Sequence, residues 1–407
     1  MGNAEIAGSN PASGNSMIKL NFHPDRGIWV EDPESIERLK KNFYGEEKDG
    51  KLWLTIEEAL YIIKFQKGEC YYNGRALGFS ELASYFKEPR LFIRYNAYRD
   101  WRDRGLIIRR PDGFQKGKPK AFKRYPSRPL PPRRLNATAY WYSDSMFSII
   151  EDPEIGKDLF GNGWFGQYGI YKQTRGRFLK LNFLETIFLA KHFGLRVQDL
   201  DGKKLTASRL MREIAEKREY AKQLYEVYED WRLRGFIVKS GFKFGSHFRI
   251  YFPGVSPLDQ KGYIHSKHVL HVFPKNQKLL VSEWARVVRV AHSVRKTFIL
   301  GIPELTAKDY KKWREDFVAW RRKKSKKGLV RETPDVDPAR YLLIALSEDE
   351  HIGGVELASL LKLAREQGLE LLLSITDSET AITYYVLKQI VLPGSKYEYY
   401  EIEWMKP

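Results

Sequence analysis

The sequence predicts an α+β protein assembled from small mixed α/β domains that repeat along one chain. Three observations carry this prediction. Short stretches of alternating apolar and polar residues give way, segment after segment, to apolar residues at helical spacing. Strings return at fixed offsets: YRDWRDRGLII (98–108) comes back as YEDWRLRGFIV (228–238), and VEDPE (30–34) as IEDPE (150–154). Gly105 and Gly235 each follow arginines at the end of a helical run, where a glycine cap and a favourable helix dipole are expected.

Composition narrows the function. Hydrophobic residues at 43% and aromatics at 14% supply ample core over 407 residues, which excludes global disorder. Lysine and arginine number 70 against 51 acidic residues, a net charge of +19, the electrostatic footprint of a polyanion-binding protein. The one cysteine, Cys70, excludes an internal disulfide framework and a cysteine-based zinc site, and fits a reducing, cytoplasmic setting. Apolar runs such as 369–375 are too short to span a bilayer, so no membrane partner is expected. Residues 1–16 have neither the charged nor the apolar region of a signal peptide and read as a flexible leader.

The elements follow in order. Residues 17–113 form an N-terminal-type domain, and its amphipathic EEALYIIKFQKG (57–68) corresponds to LETIFLAKHFGL (184–195). A basic, proline-rich connector spans 114–140. Residues 141–240 repeat the first domain and open a complete two-domain unit that continues through 241–322. Where the first copy has EEKDG, this second copy carries the basic QYGIYKQTRGR (167–177). Its Lys172, Arg175 and Arg177 are candidate contacts to a polyanionic ligand, with a solvated loop as the plainer alternative. Residues 323–338, charged and without apolar period, read as a linker. Residues 339–407 are a C-terminal domain alone: HVLHVF (268–273), SEWARVVRVAHSV (282–294) and RKTFILGI (295–302) return at an offset of 73 as strand, helix and strand.

The repeats let the chain serve as its own control. At that offset His265 lands on Pro338, Lys296 on Leu369 and Arg289 on Lys362, so the third unit keeps the pattern and loses the ionisable groups. In the first unit Tyr125, in FKRYP, stands against Tyr251, in FRIYFP, but no histidine follows before the second unit begins. Only the middle unit holds Tyr251, His265 and Lys296. These can supply a base, an acid and a fixed positive charge, enough to cleave a phosphodiester through its own 2′-hydroxyl without a metal. Singly each has a bland explanation: a strand-edge tyrosine, one of eight histidines, a lysine favoured by a helix C-terminus. Their joint presence in one copy gives them weight.

GFIVKSGFKFGSHFRIY (235–251), YIHSKHVLHV (263–272) and RVVRVAHSVRKT (286–297) resemble the catalytic unit of archaeal tRNA-splicing endonucleases. The likeness is dense over 228–300 and continues more weakly through 146–227. The order of units resembles the three-unit fused form, in which two chains build a homodimer. The resemblance implies Tyr251 as general base, His265 as general acid and Lys296 as stabiliser of the transition state. It implies cleavage of precursor tRNA at a bulge–helix–bulge motif, leaving a 2′,3′-cyclic phosphate and a 5′-hydroxyl, with no cofactor and no metal. A histidine with a pKa near ~6.5 suits the acid's role, whereas a tyrosine near ~10 needs neighbouring cations to act as a base.

Family members clamp a bulged base between two arginines, which implies Arg289 with Arg321 or Arg322. They also dock units through an acidic loop, which implies 375–383 with Asp377 and Glu379. The closing strand YYEIEWMKP (399–407) is expected to pair with its copy in another chain. The competing reading is a non-catalytic, structural RNA-binding subunit of such an endonuclease.

Overall fold

A computed structural model describes residues 17–118, 121–169, 175–258, 265–326 and 328–407 and divides the chain into two compact units. The leader 1–16, Lys172 and the segment 259–264 before His265 lie outside the described residues. The first unit runs to Phe114 and takes in Phe317–Pro338; the second holds Gln115–Asp316 and Ala339–Lys406.

In the first unit Ile18–His23 lies antiparallel to Gly27–Val30 and parallel to Gly68–Tyr72, within a six-stranded sheet. Ile18, Leu20 and Phe22 are buried while their neighbours are not, the alternation of a strand with one covered face. A capping box of Thr55 and Glu58 starts the helix Ile56–Phe65, satisfying backbone donors that would otherwise be orphaned. The second unit repeats this pairing. Thr138–Tyr142 is antiparallel to Phe147–Ile150 and parallel to Arg196–Gln198, and Asn182 with Glu185 boxes the helix Phe183–His192.

The second unit also carries the larger sheet. Ile237–Ser240, Phe248–Tyr251, His268–Val272 and Thr297–Ile302 lie side by side, and Glu398–Met405, Ile382–Val391, Glu370–Thr376 and Tyr341–Ser347 continue it. The two crossover helices of the repeat, Val281–Ser293 and Gly354–Glu366, each join a pair of parallel strands. Lys278–Leu280 pairs antiparallel with His351–Gly353 so that Leu279 faces Ile352, its own counterpart in the repeat. Equivalent positions meeting in this way are what a local twofold requires.

Three expectations are corrected. The closing strand is not left to pair with another chain, because over 399–402 it has Thr297–Ile302 on one side and Ile382–Val391 on the other. The strand read as ending the 241–322 domain, Phe317–Ala319, folds with the first unit, where it lies antiparallel to Ile108–Arg109. Trp320 adds a backbone bond to Ile107 at 3.0 Å, and the Trp101 indole donates to the carbonyls of Ile107 and Trp320, so the short RGLII strand gains a neighbour. The expected linker 323–338 holds part of a hairpin, Arg322–Ser325 against Gly328–Arg331.

The connector, too, is structured. Lys123–Arg124 pairs with Ile390 and Val391, and Tyr125 is buried with its hydroxyl donating to Glu401. Arg128 donates its backbone N–H to the Arg234 carbonyl at 2.9 Å. Gly235, at φ +82, lies so close that a Cβ there would stand 2.0 Å from the Arg128 oxygen. Only glycine fits both the conformation and the approach.

Candidate active site

The three candidate residues lie at or just before the ends of three adjacent strands. Tyr251 is the last residue of Phe248–Tyr251, one beyond the pair Ile250 and His268. His265 comes three residues before His268 opens its strand, and Lys296 directly precedes Thr297, the parallel partner of His268. The Thr297 N–H donates to the Lys267 carbonyl at 2.9 Å, which closes the sheet at this end. Antiparallel then parallel pairing is what delivers a strand terminus and two strand beginnings to one edge.

The three side chains have different surroundings. His265 is exposed. Tyr251 is 3% exposed, and its ring rests against Trp164 with centroids 4.9 Å apart and planes at 45°. Lys296 is buried, donates to the Ser266 carbonyl, and reaches the Ser266 hydroxyl at 3.0 Å. It is thus tied to the residue after His265. Its ammonium also lies 4.9 Å from the centre of the Phe244 ring. Burial first, and then the charge of Arg249, lowers its pKa from the ordinary lysine value.

Three other histidines of this domain, His247, His268 and His271, are poor proton donors, and His292 sits on the helix Val281–Ser293, where its Nε2 accepts from the Trp404 N–H at 3.0 Å. Burial depresses His247 to about 2 and His268 and His271 to about 4, so all three are neutral at neutral pH. His247 and His271 stack with ring centroids 4.2 Å apart, and the His247 Nδ1 accepts from the Val272 N–H at 2.9 Å. His265 is left as the solvent-facing imidazole at this edge of the sheet.

Lys239, absent from the sequence expectations, is linked to Tyr251 through Trp164. Lys239 is buried and donates to the Trp164 carbonyl at 3.0 Å, the Gly166 carbonyl at 2.8 Å and Glu185 at 2.8 Å. Burial is the main influence on its pKa and lowers it, against the opposing pull of Glu185. Trp164 in turn supports the Tyr251 ring. The signal was present in the sequence: in FIVKS a charged residue interrupts a strand whose neighbours Ile237 and Val238 are both buried.

The remaining predicted residues are dispersed. Arg289 is exposed on the helix Val281–Ser293. Arg321 and Arg322 belong to the first compact unit, where Arg322 donates to the Arg104 carbonyl and the Arg321 carbonyl accepts from the Glu332 N–H at 2.8 Å. Their expected place on the catalytic domain's last strand is therefore corrected. Arg175 and Arg177 are exposed. Asp377 and Glu379 lie in the turn between Glu370–Thr376 and Ile382–Val391. The Asp377 carboxylate accepts from the N–H groups of Glu379 at 3.0 Å and Ala381 at 2.8 Å, while the Glu379 side chain is exposed. Among the described residues no group of three or more His, Cys, Asp or Glu side chains could hold a metal ion, and no helix is long and apolar enough to cross a membrane.

Comparison with known proteins gives concordant results. The family described as tRNA intron endonuclease, catalytic C-terminal domain, matches residues 222–313, and tRNA intron endonuclease, N-terminal domain, matches 24–83. A tRNA-splicing endonuclease of Methanococcoides burtonii is 26% identical over 347 residues, covering 70% of this chain and 95% of that protein. Those of Hyperthermus butylicus and Thermococcus gammatolerans are 33% and 38% identical, over 38% and 40% of this chain and 84% and 88% of their own lengths. With a catalytic-domain match over the strands that gather Tyr251, His265 and Lys296, and relatives covered across most of their length, the chain belongs to the tRNA-splicing endonuclease family.

Proposed function

We propose that the chain removes introns from precursor tRNA by a metal-independent transesterification at the edge formed by Tyr251, His265 and Lys296. The observation that carries this reading is the convergence of those residues on three neighbouring strand ends. The 2′-hydroxyl beside the scissile phosphate loses its proton to Tyr251, and its oxygen attacks phosphorus. The bond from phosphorus to the 5′-oxygen breaks, and His265 gives that oxygen a proton. A 2′,3′-cyclic phosphate and a 5′-hydroxyl result. Lys296, held by Ser266, opposes the negative charge that builds on the phosphoryl oxygens. A tyrosine acting as base needs positive charge beside it, and Lys296, placed before the strand parallel to His268–Val272, is the cation assigned that part.

A precursor with a single 2′-deoxy substitution at the scissile nucleotide tests this directly. It is expected to bind and remain uncut. Cutting at the normal rate would show that the nucleophile comes from elsewhere.

The substrate feature is a bulge–helix–bulge, with Arg289 stacking on a bulged base and the basic 167–177 segment along the backbone. Two chains form the working enzyme, docked through the Glu379 turn, which the Asp377 carboxylate holds in shape. Light scattering at micromolar concentration is expected to give a dimer mass that E379K shifts to monomer. A wild-type monomer would dismiss the docking role. A cytoplasmic setting accords with the lone, buried Cys70.

A further inference from the structure

Phe242 is 86% exposed, in the GFKFG turn of the catalytic domain. The turn is built rather than loose. Phe244 donates its N–H to the Gly241 carbonyl at 2.8 Å, Gly245 to Phe242 at 3.1 Å, and Gly241 to His247 at 2.9 Å. A Cβ on Gly241 would stand 2.8 Å from the Phe248 backbone, so the turn closes only with glycine there. Two contacts place it beside the chemistry. The Phe244 ring lies 4.9 Å from the Lys296 ammonium, and a Cβ added to Gly245 would stand 3.8 Å from Val287, on the helix that exposes Arg286 and Arg289. Lys243, between the two phenylalanines, is exposed as well.

A hydrophobic ring held out into water by an ordered turn, amid lysine and arginine and two residues from a contact to Lys296, has the makings of a nucleobase platform. Cations track the backbone while a π-face accepts any base. We propose that Phe242 stacks on an unpaired base of the RNA next to the cleavage site and so positions the scissile phosphate. This deepens the RNA-cleavage reading above and rests on it.

The test uses a bulge–helix–bulge RNA carrying 2-aminopurine at each bulge position in turn, titrated into the full chain, F242A and F242W, each with H265A to prevent turnover. Cleavage of the unlabelled RNA is measured with His265 intact. At one bulge position the fluorescence should be quenched on binding by the parent and F242W, and the quenching should be lost in F242A. F242A should lower kcat/KM roughly tenfold to hundredfold, the range of one lost base–aromatic stack, with F242W restoring it. Melting temperatures should be equal, since the ring is exposed.

Unchanged quenching and kcat/KM in F242A would overturn the proposal. So would a change in oligomeric mass on F242A, which would assign the ring to a contact between copies. A protein that cuts this RNA but quenches no position overturns the platform and leaves the cleavage reading standing. One that quenches but, with His265 intact, does not cut overturns the cleavage reading and leaves the platform.

Discussion

Replacing His265 with alanine is expected to slow cleavage of an intron-bearing precursor by about 10²–10⁴-fold, the usual contribution of a positioned general acid, while RNA affinity is unchanged. The expectation rests on which histidine can deliver a proton. Burial holds His247, His268 and His271 neutral, whereas His265 faces solvent at the edge where Tyr251 ends its strand and Lys296 directly precedes its own. A substrate whose 5′-oxygen is replaced by sulfur separates the acid from a structural histidine. Sulfur leaves as a thiolate without protonation, so H265A should cut this substrate nearly as fast as the parent does. Equal losses on both substrates would remove His265 from the acid's role. No loss on either would favour a non-catalytic RNA-binding subunit.

The largest effect on stability is expected from Lys239→Met. The substitution leaves the Glu185 carboxylate, 3% exposed, without its cation, and it strips donors from the carbonyls of Trp164 and Gly166. Breaking a buried pair from one side costs about 3–5 kcal/mol, a fall in Tm on the order of 10 °C for a unit of this size. Because Trp164 supports the Tyr251 ring, cleavage should fall together with stability. The double variant K239M/E185L removes both charges and should lose less than the sum of the single changes. Additive losses, or a K239M protein as stable as the parent, would show that the pair does not hold these domains together.

Much of this arrangement was legible in the sequence because it is written in local pattern. The offset of 73 carried Val281–Ser293 onto Gly354–Glu366 residue for residue, and the strands flanking them came with it. The loss of His265 and Lys296 from the third copy marked the middle unit, and the structure brings those positions to one edge with Tyr251. What escaped was partner choice between segments distant in sequence. The apolar strand at Phe317–Ala319 was plain, but the RGLII strand beside it lies more than two hundred residues earlier. The closing strand likewise showed its alternation without showing that Thr297–Ile302 and Ile382–Val391 would fill both its edges. Lys239 was overlooked because a lone lysine in a strand reads as an exposed edge residue until its carboxylate, 54 positions away, is known to lie beneath it.

The most direct test of the central claim is the chemistry of the ends. The protein is incubated with an intron-bearing tRNA precursor in excess EDTA, and the termini of the products are identified. Cleavage by Tyr251, His265 and Lys296 predicts undiminished cutting, with 2′,3′-cyclic phosphate and 5′-hydroxyl ends. Products ending in a 3′-hydroxyl, or activity abolished by EDTA and restored by a divalent cation, would contradict it.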